Sequence, residues 1–113
     1  MIGLMIDDLL IVARQLLVDG RLAEALIQFD VAIRVAPLDP KVRLERALVN
    51  IELGKTDDAI SDYEQVIAIS PHNHNAFLAR GRLLEDKGRL REALVDYKTV
   101  MSLQPDAKGA YFC

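Results

Sequence analysis

Cysteine, tryptophan and a strong net charge are all missing or nearly missing from this chain of 113 residues. Its one cysteine, Cys113, excludes an intrachain disulfide and a multi-cysteine metal site. The net charge is only −3 and no basic run occurs, so nothing indicates a nucleic-acid surface. Aromatic residues make up 5% of the chain and hydrophobic residues 51%. A core of aliphatic residues and alanine is therefore expected, which favours closely packed helices.

Long apolar runs are missing as well. No stretch approaches the ~20 apolar residues that a membrane-spanning helix needs. The first six residues are apolar but have no basic flank, and Asp7 and Asp8 follow them directly. This pattern does not indicate a signal peptide. We therefore expect a cytoplasmic protein with no membrane partner.

What the chain does contain is an internal repeat, because the same residue types recur at one fixed spacing. An aromatic column at this spacing holds Phe29, Tyr63 and Tyr97. Four further columns are identical in all three copies: Gly20, Gly54 and Gly88; Ala25, Ala59 and Ala93; Pro37, Pro71 and Pro105; and Leu10, Leu44 and Leu78. The repeats are placed at residues 6–39, 40–73 and 74–107, in a single domain over residues 1–113, with residues 108–113 as the truncated start of a further helix.

Each repeat predicts two helices. The first ends at the glycine, whose backbone can adopt the turn that closes a helix. The second ends before the proline, which cannot continue a helix interior. Asp39 and Asn73 are predicted N-caps for the following helices, Pro40 suits a first helical turn, and Thr56 is a further N-cap candidate. The sequence thus predicts an all-α protein of six helices in three antiparallel hairpins.

These columns, with their period of ~34 residues, resemble the tetratricopeptide repeat. The resemblance covers 102 of the 113 residues. The third repeat matches the family pattern throughout, whereas the middle repeat has Arg43 and Asn50 at positions that are usually apolar. Either its first helix is looser, or these two polar groups meet partners from a neighbouring helix. The resemblance implies an α-solenoid, a right-handed superhelix whose first helices line a concave groove.

The resemblance also implies which residues face that groove: Leu10, Arg14, Leu44, Glu45, Leu48, Glu52, Asn75, Leu78 and Arg82. Such an apolar strip with mixed charges favours a helix or an extended hydrophobic segment as ligand. The alternative is that the leucines at positions 10, 44 and 78 pack between hairpins. One family subtype grips a chaperone's C-terminal carboxylate with lysine, asparagine and arginine. Here the clamp positions hold Leu10, Arg14, Glu45, Asn75 and Ala79, so that role is not expected.

No pattern of residues predicts catalysis. The sequence has no phosphate-binding loop, and we find no combination of nucleophile, histidine and acid. His72 and His74 could share a metal ion, but they lie in a predicted connection and have no further ligands. The acidic pairs Asp7-Asp8 and Asp57-Asp58 lie near predicted helix starts, where they complement the helix dipole. We expect neither an enzyme nor a cofactor nor a metal site.

The last hairpin suggests a second surface. After Pro105, Tyr111 falls where a fourth repeat would place its first large apolar residue. Uncovered apolar surface usually marks an interface, and repeat proteins need their ends covered. A self-association edge is predicted from Leu94, Met101, Tyr111 and Phe112; a homodimer, a partner protein or a longer solenoid would each explain it. The leading hypothesis is an adaptor or scaffold that binds a protein or peptide; the alternative is a structural unit that self-associates.

Overall fold

The computed structural model describes the backbone of residues 2–104 and the side chains of residues 6–104. Within this range the protein is all-α, as predicted, with no strand. The six helices are α1 (Ile2–Val18), α2 (Leu22–Val35), α3 (Pro40–Glu52), α4 (Thr56–Ile69), α5 (His74–Asp86) and α6 (Leu90–Leu103). Pro105 and the predicted helix start at 108–113, with Tyr111, Phe112 and Cys113, lie outside the described residues.

The glycines end the first helix of each pair, as predicted. Gly20, Gly54 and Gly88 have φ angles of +77°, +76° and +80°, in the left-handed region that glycine adopts without a steric penalty. The Gly20 amide donates to the carbonyl of Leu17 at 3.0 Å and the Arg21 amide to that of Leu16 at 2.8 Å. These bonds satisfy carbonyls that the helix end would otherwise leave unpaired.

Two of the three predicted N-caps are confirmed. The Asp39 carboxylate accepts a bond from the Lys41 amide at 2.9 Å, and the Asn73 side chain accepts one from the Ala76 amide at 3.2 Å. The prediction for Thr56 is wrong by one residue, because α4 begins at Thr56 itself. Its hydroxyl is therefore on the first helical residue, past the N-cap position.

The chain divides into two compact units, Met1–Asp62 and Tyr63–Cys113. In the first unit, α2 packs against both α1 and α3. The core there centres on the fully buried Phe29, with Ile33 beside it and Val42 and Val49 contributed by α3. Ala13 and Ala25 are both fully buried in this cluster. Their small side chains let α1 and α2 approach closely, as the alanine column predicts.

In the second unit, α5 packs against α6. Gly81 on α5 takes the small position of this hairpin and Ala93 on α6 is buried. A Cβ atom on Gly81 would lie 2.7 Å from Cε1 of Tyr97. The third repeat therefore uses glycine because the aromatic ring already fills the space that a methyl group would need.

Candidate functional site

The first candidate surface is the α1–α3 face of the first unit. An ion pair marks its middle: Arg14 Nε donates to Glu45 Oε1 at 2.8 Å, and Arg14 Nη2 donates to Glu45 Oε2 at 3.0 Å. These bonds raise the pKa of the Arg14 guanidinium. Six of the predicted groove residues lie on these two helices, and we name the face by them together with three apolar neighbours: Leu10, Ile11, Arg14, Val18, Leu44, Glu45, Leu48, Ile51 and Glu52.

Apolar side chains lie on both sides of this ion pair. Leu48 is 59% exposed, and Ile11 and Ile51 are exposed as well. Leu44 is half-buried, and Leu10 packs against the core of the first unit. The exposed apolar surface of the face therefore comes mainly from Val18, Ile11, Leu48 and Ile51, while Leu10 contributes to packing.

The remaining predicted groove residues lie on α5 in the second unit. Asn75 and Arg82 are exposed, and Leu78 is half-buried. Leu78 and Arg82 are four residues apart and so lie on one face of the helix. This second surface therefore combines one apolar and two polar side chains.

A buried polar network in the first unit was not predicted from the sequence. Asp62 on α4 is buried and accepts bonds from Arg46 Nε at 3.1 Å and from Asn50 Nδ2 at 3.1 Å. Arg46 also reaches α2, where its Nη1 donates to Asp30 Oδ1 at 2.9 Å. Asn50 thus meets a partner from a neighbouring helix, which confirms the second of the two alternatives for this residue.

The same arrangement recurs in the second unit. Arg80 donates from Nε to Asp96 Oδ2 at 2.8 Å and from Nη2 to Asp96 Oδ1 at 2.7 Å. The hydrogen bonds to Asp96, only 2% exposed as a residue, raise the pKa of Arg80. The sequence signal was available, because Arg46 and Arg80 are each followed by an aspartate at the same spacing.

The two histidines lie just before and at the start of α5. His72 is exposed in the connection before α5, and His74 is the first residue of that helix. Across the described part of the chain, no group of three or more His, Cys, Asp or Glu side chains is placed to hold a metal ion.

The predicted self-association edge is described in part. Leu94 and Met101 lie on α6 and are 51% and 39% exposed, whereas the positions of Tyr111 and Phe112 fall outside the described residues. The exposed apolar side chains of α6 thus form a further candidate surface.

Tyr97 gives the second unit a pH dependence that can be tested. Its hydroxyl donates to Glu85 Oε1 at 2.6 Å, and burial together with this bond raises its pKa from 10.0 to about 12. A phenol with a raised pKa in the folded state stabilises the fold below its unfolded pKa and loses that contribution as the pH rises. We expect the free energy of unfolding to fall between pH 10 and pH 12, and to fall less in Tyr97→Phe. Urea denaturation at each pH measures this free energy. A fall with pH that is equal in the wild type and in Tyr97→Phe would contradict the prediction.

Two sequence profiles, each described as "Tetratricopeptide repeat", match the chain over residues 13–74 and 50–112. Each match covers more than half of the chain. The chain belongs to the tetratricopeptide repeat (TPR) family. No curated protein matches its sequence.

Solved TPR structures resemble the chain closely. The first TPR domain of Spaghetti (RPAP3), bound to the HSP90 peptide SRMEEVD, is 25% identical with a TM-score of 0.80, over 93% of this chain and 83% of that one. The P58(IPK) TPR domain is 35% identical with a TM-score of 0.78, over 91% of this chain and 29% of that one. YrrB, described as a TPR protein with an unusual peptide-binding site, is 22% identical with a TM-score of 0.80, over 93% and 54%.

Membership of the TPR family assigns the chain to a class of helical repeats that act as protein-interaction modules. The described helices include none that is long and apolar enough to cross a membrane.

Proposed function

We propose that this TPR protein is an adaptor or scaffold that binds a peptide or helical segment of another protein on its α1–α3 face. The observation that carries the proposal is the Arg14–Glu45 ion pair flanked by exposed apolar side chains. Leu48 is one turn from Glu45 and Ile11 is one turn from Arg14, so the pair and the apolar groups form one continuous surface.

The apolar groups supply the affinity in this proposal. Covering exposed apolar surface yields about 25 cal/mol per Å², whereas an exposed ion pair contributes only ~0–1 kcal/mol. The Arg14 and Glu45 side chains instead set the polar edge that a ligand must match. Because both carboxylate oxygens of Glu45 already accept bonds from Arg14, the ligand needs few charges of its own.

The ligand proposed here differs from the peptide SRMEEVD, to which the TPR domain of Spaghetti (RPAP3) is bound. That peptide carries several carboxylates. Leu10 and Glu45 stand at positions where the carboxylate-gripping subtype has lysine and asparagine, and a glutamate there disfavours an acidic ligand. We therefore propose a ligand that is mainly apolar.

Replacing Leu48 by serine is expected to weaken peptide binding at least about tenfold, since burying a leucine side chain is worth ~1.5–3 kcal/mol. The ligand is a peptide selected from a random library on the full-length chain, with affinity measured by fluorescence polarisation. Stability should change by no more than about 0.5 kcal/mol because Leu48 is exposed.

Ile27→Ser provides the matched control, since Ile27 is as exposed as Leu48 but lies on α2. It should leave the affinity unchanged. Equal losses in the two variants, or tight binding of SRMEEVD to the wild type, would contradict the proposal. The α5 surface with Asn75, Leu78 and Arg82 is proposed as a separate contact surface. The peptide affinity of Arg82→Ser tests this surface separately from the α1–α3 face.

Self-association through α6 is the second candidate function, and the exposure of Leu94 and Met101 favours it. Light scattering over a concentration series decides it. A mass that rises with concentration in the wild type and stays at one chain in Leu94→Asp supports assembly. A single-chain mass at every concentration rules it out.

A further inference from the structure

The first unit shows what kind of element covers the second helix of a hairpin. In α2, Ile33 is only 8% exposed, and Leu22 and Leu26 are half-buried against the same core. The covering element is α3, which buries Val42 and Val49 in that core. The corresponding side chains of α6, two repeats further along the chain, are exposed: Leu90, Leu94 and Met101.

We name this surface the α6 edge and define it by Leu90, Leu94, Tyr97, Lys98 and Met101. Val95 is not part of it. Its counterpart Ile27 stays exposed although α3 covers α2. The comparison therefore marks which face of α6 a covering helix would contact and which face it would leave in solvent.

The covering helix also forms an ion pair with the helix that it covers. Between Val42 and Val49, α3 places Arg46, whose Nη1 donates to Asp30 of α2 at 2.9 Å. The next pair in the repeat keeps these signs, because Glu64 acts on the Arg80 guanidinium and helps to raise its pKa. Asp30, Glu64 and Lys98 occupy the same position in successive repeats. The charge at this position is negative in the first two repeats and positive in the third.

We propose that the α6 edge binds an amphipathic helix of a different protein, one with two apolar residues seven positions apart and an aspartate or glutamate where α3 has Arg46. The apolar pair would pack on Tyr97 and Met101, in the way that Val42 and Val49 share a core with Phe29 and Ile33. The acid would pair with Lys98. An arginine at that place, as in α3, would meet a like charge, which disfavours the wrong partner.

Neither α3 nor α1 of a second copy of this chain fits the edge as a covering helix. Val42 and Val49 on its α3 are already buried within its own first unit. Its α1 presents Asp8, Val12 and Gln15 at the positions equivalent to Val42, Arg46 and Val49. Docking α1 in that way would bury a carboxylate and an amide against apolar groups, and unpaired buried polar groups are costly.

The test uses three stapled helical peptides based on the sequence of residues 40–53. The staple joins positions 48 and 52, which are exposed on α3 and so face away from the covered side. One peptide keeps Arg46 and another carries Arg46→Glu. A third peptide keeps Arg46 and carries Lys41→Glu, which gives the same net charge with the acid on the exposed side. Affinities for the full-length chain are measured by fluorescence polarisation.

The Arg46→Glu peptide should bind about five- to tenfold more tightly than the other two, the effect of exchanging a repulsive for an attractive partly exposed pair. In Lys98→Glu, the preference should reverse toward the peptide that keeps Arg46. Leu94→Asp should abolish binding, whereas Val95→Asp should leave it unchanged. All three positions are exposed, and thermal unfolding checks that the variants remain folded.

Three outcomes would overturn the proposal. The first is equal affinity of all three peptides with no response to Lys98→Glu. The second is no peptide binding to a wild-type dimer that Leu94→Asp converts to a monomer, which makes a second copy the occupant. The third is no binding to a monomer in which hydrogen exchange at residues 105–113 accelerates on Leu94→Asp, which makes the chain's own C-terminal segment the occupant. None of these outcomes bears on the α1–α3 face, so this proposal and the proposed peptide site fail independently.

Discussion

Replacing Arg80 by methionine is expected to lower the free energy of unfolding by about 3 kcal/mol, because it removes the partner of the buried Asp96 carboxylate. The loss is at the low end for such pairs because the Arg80 side chain is itself 22% exposed. Asp96 is nearly inaccessible to solvent, and both of its carboxylate oxygens accept bonds from Arg80. Methionine fills similar volume but cannot donate. The Asp96 carboxylate would then be buried without compensation, or would have to take up a proton. Urea denaturation monitored by circular dichroism measures the loss.

A double variant separates the cost of an unpaired charge from the worth of the pair. Arg80→Met combined with Asp96→Leu removes both charges, and it should recover most of the stability, since apolar replacements of buried ion pairs are often neutral or stabilising. Arg91→Met is the control, because Arg91 is exposed on α6, and it should change stability by no more than about 0.5 kcal/mol. A double variant as unstable as Arg80→Met alone would show that the pair itself, rather than an orphaned Asp96, holds the hairpin together.

Replacing Phe29 by alanine should cost about 3–5 kcal/mol, the usual loss for a large buried aromatic side chain. Phe29 is 0% exposed in the core that α1, α2 and α3 share. Tyr97 occupies the same column of the repeat but is only half-buried. Tyr97→Ala should therefore cost roughly half as much, even though it also loses the bond to Glu85, because less apolar area leaves the core.

The comparison of these two variants tests the exposure of the α6 edge directly. If alanine at position 97 destabilises the protein as much as alanine at position 29, the α6 edge is covered in solution. A helix of another protein could then bind there only by displacing the element that already covers the edge, which would count against the proposal.

The helices were predictable because single residues determine their ends. Gly20, Gly54 and Gly88 recur at one spacing, and a left-handed backbone at each ends a helix whatever the packing around it. Asp39 and Asn73 act on amides two or three residues away, so local sequence is enough to predict their role. The error of one residue at Thr56 is of the size expected for helix boundaries in general.

The side-chain pairs were less predictable because they join residues far apart in the chain. Arg14 and Glu45 were both expected in the groove, but that they bond to each other depends on how α1 and α3 lie side by side. Asn50 occupies a position that is usually apolar, and only the fold shows that its side chain donates to Asp62 of the next helix. Helical periodicity likewise places Leu10 and Leu48 on equivalent faces, and only the packing shows that Leu10 contacts the core while Leu48 does not.

Backbone amide shifts in NMR spectra, recorded while a library-selected peptide is titrated into the full-length chain, test the proposed binding function most directly. The α1–α3 face predicts that the largest shifts fall in residues 10–18 and 44–52. At the same peptide concentration Leu48→Ser should reduce these shifts, whereas Ile27→Ser should not. A peptide that binds and shifts α2 or α6 while leaving α1 and α3 unchanged would contradict the proposed site.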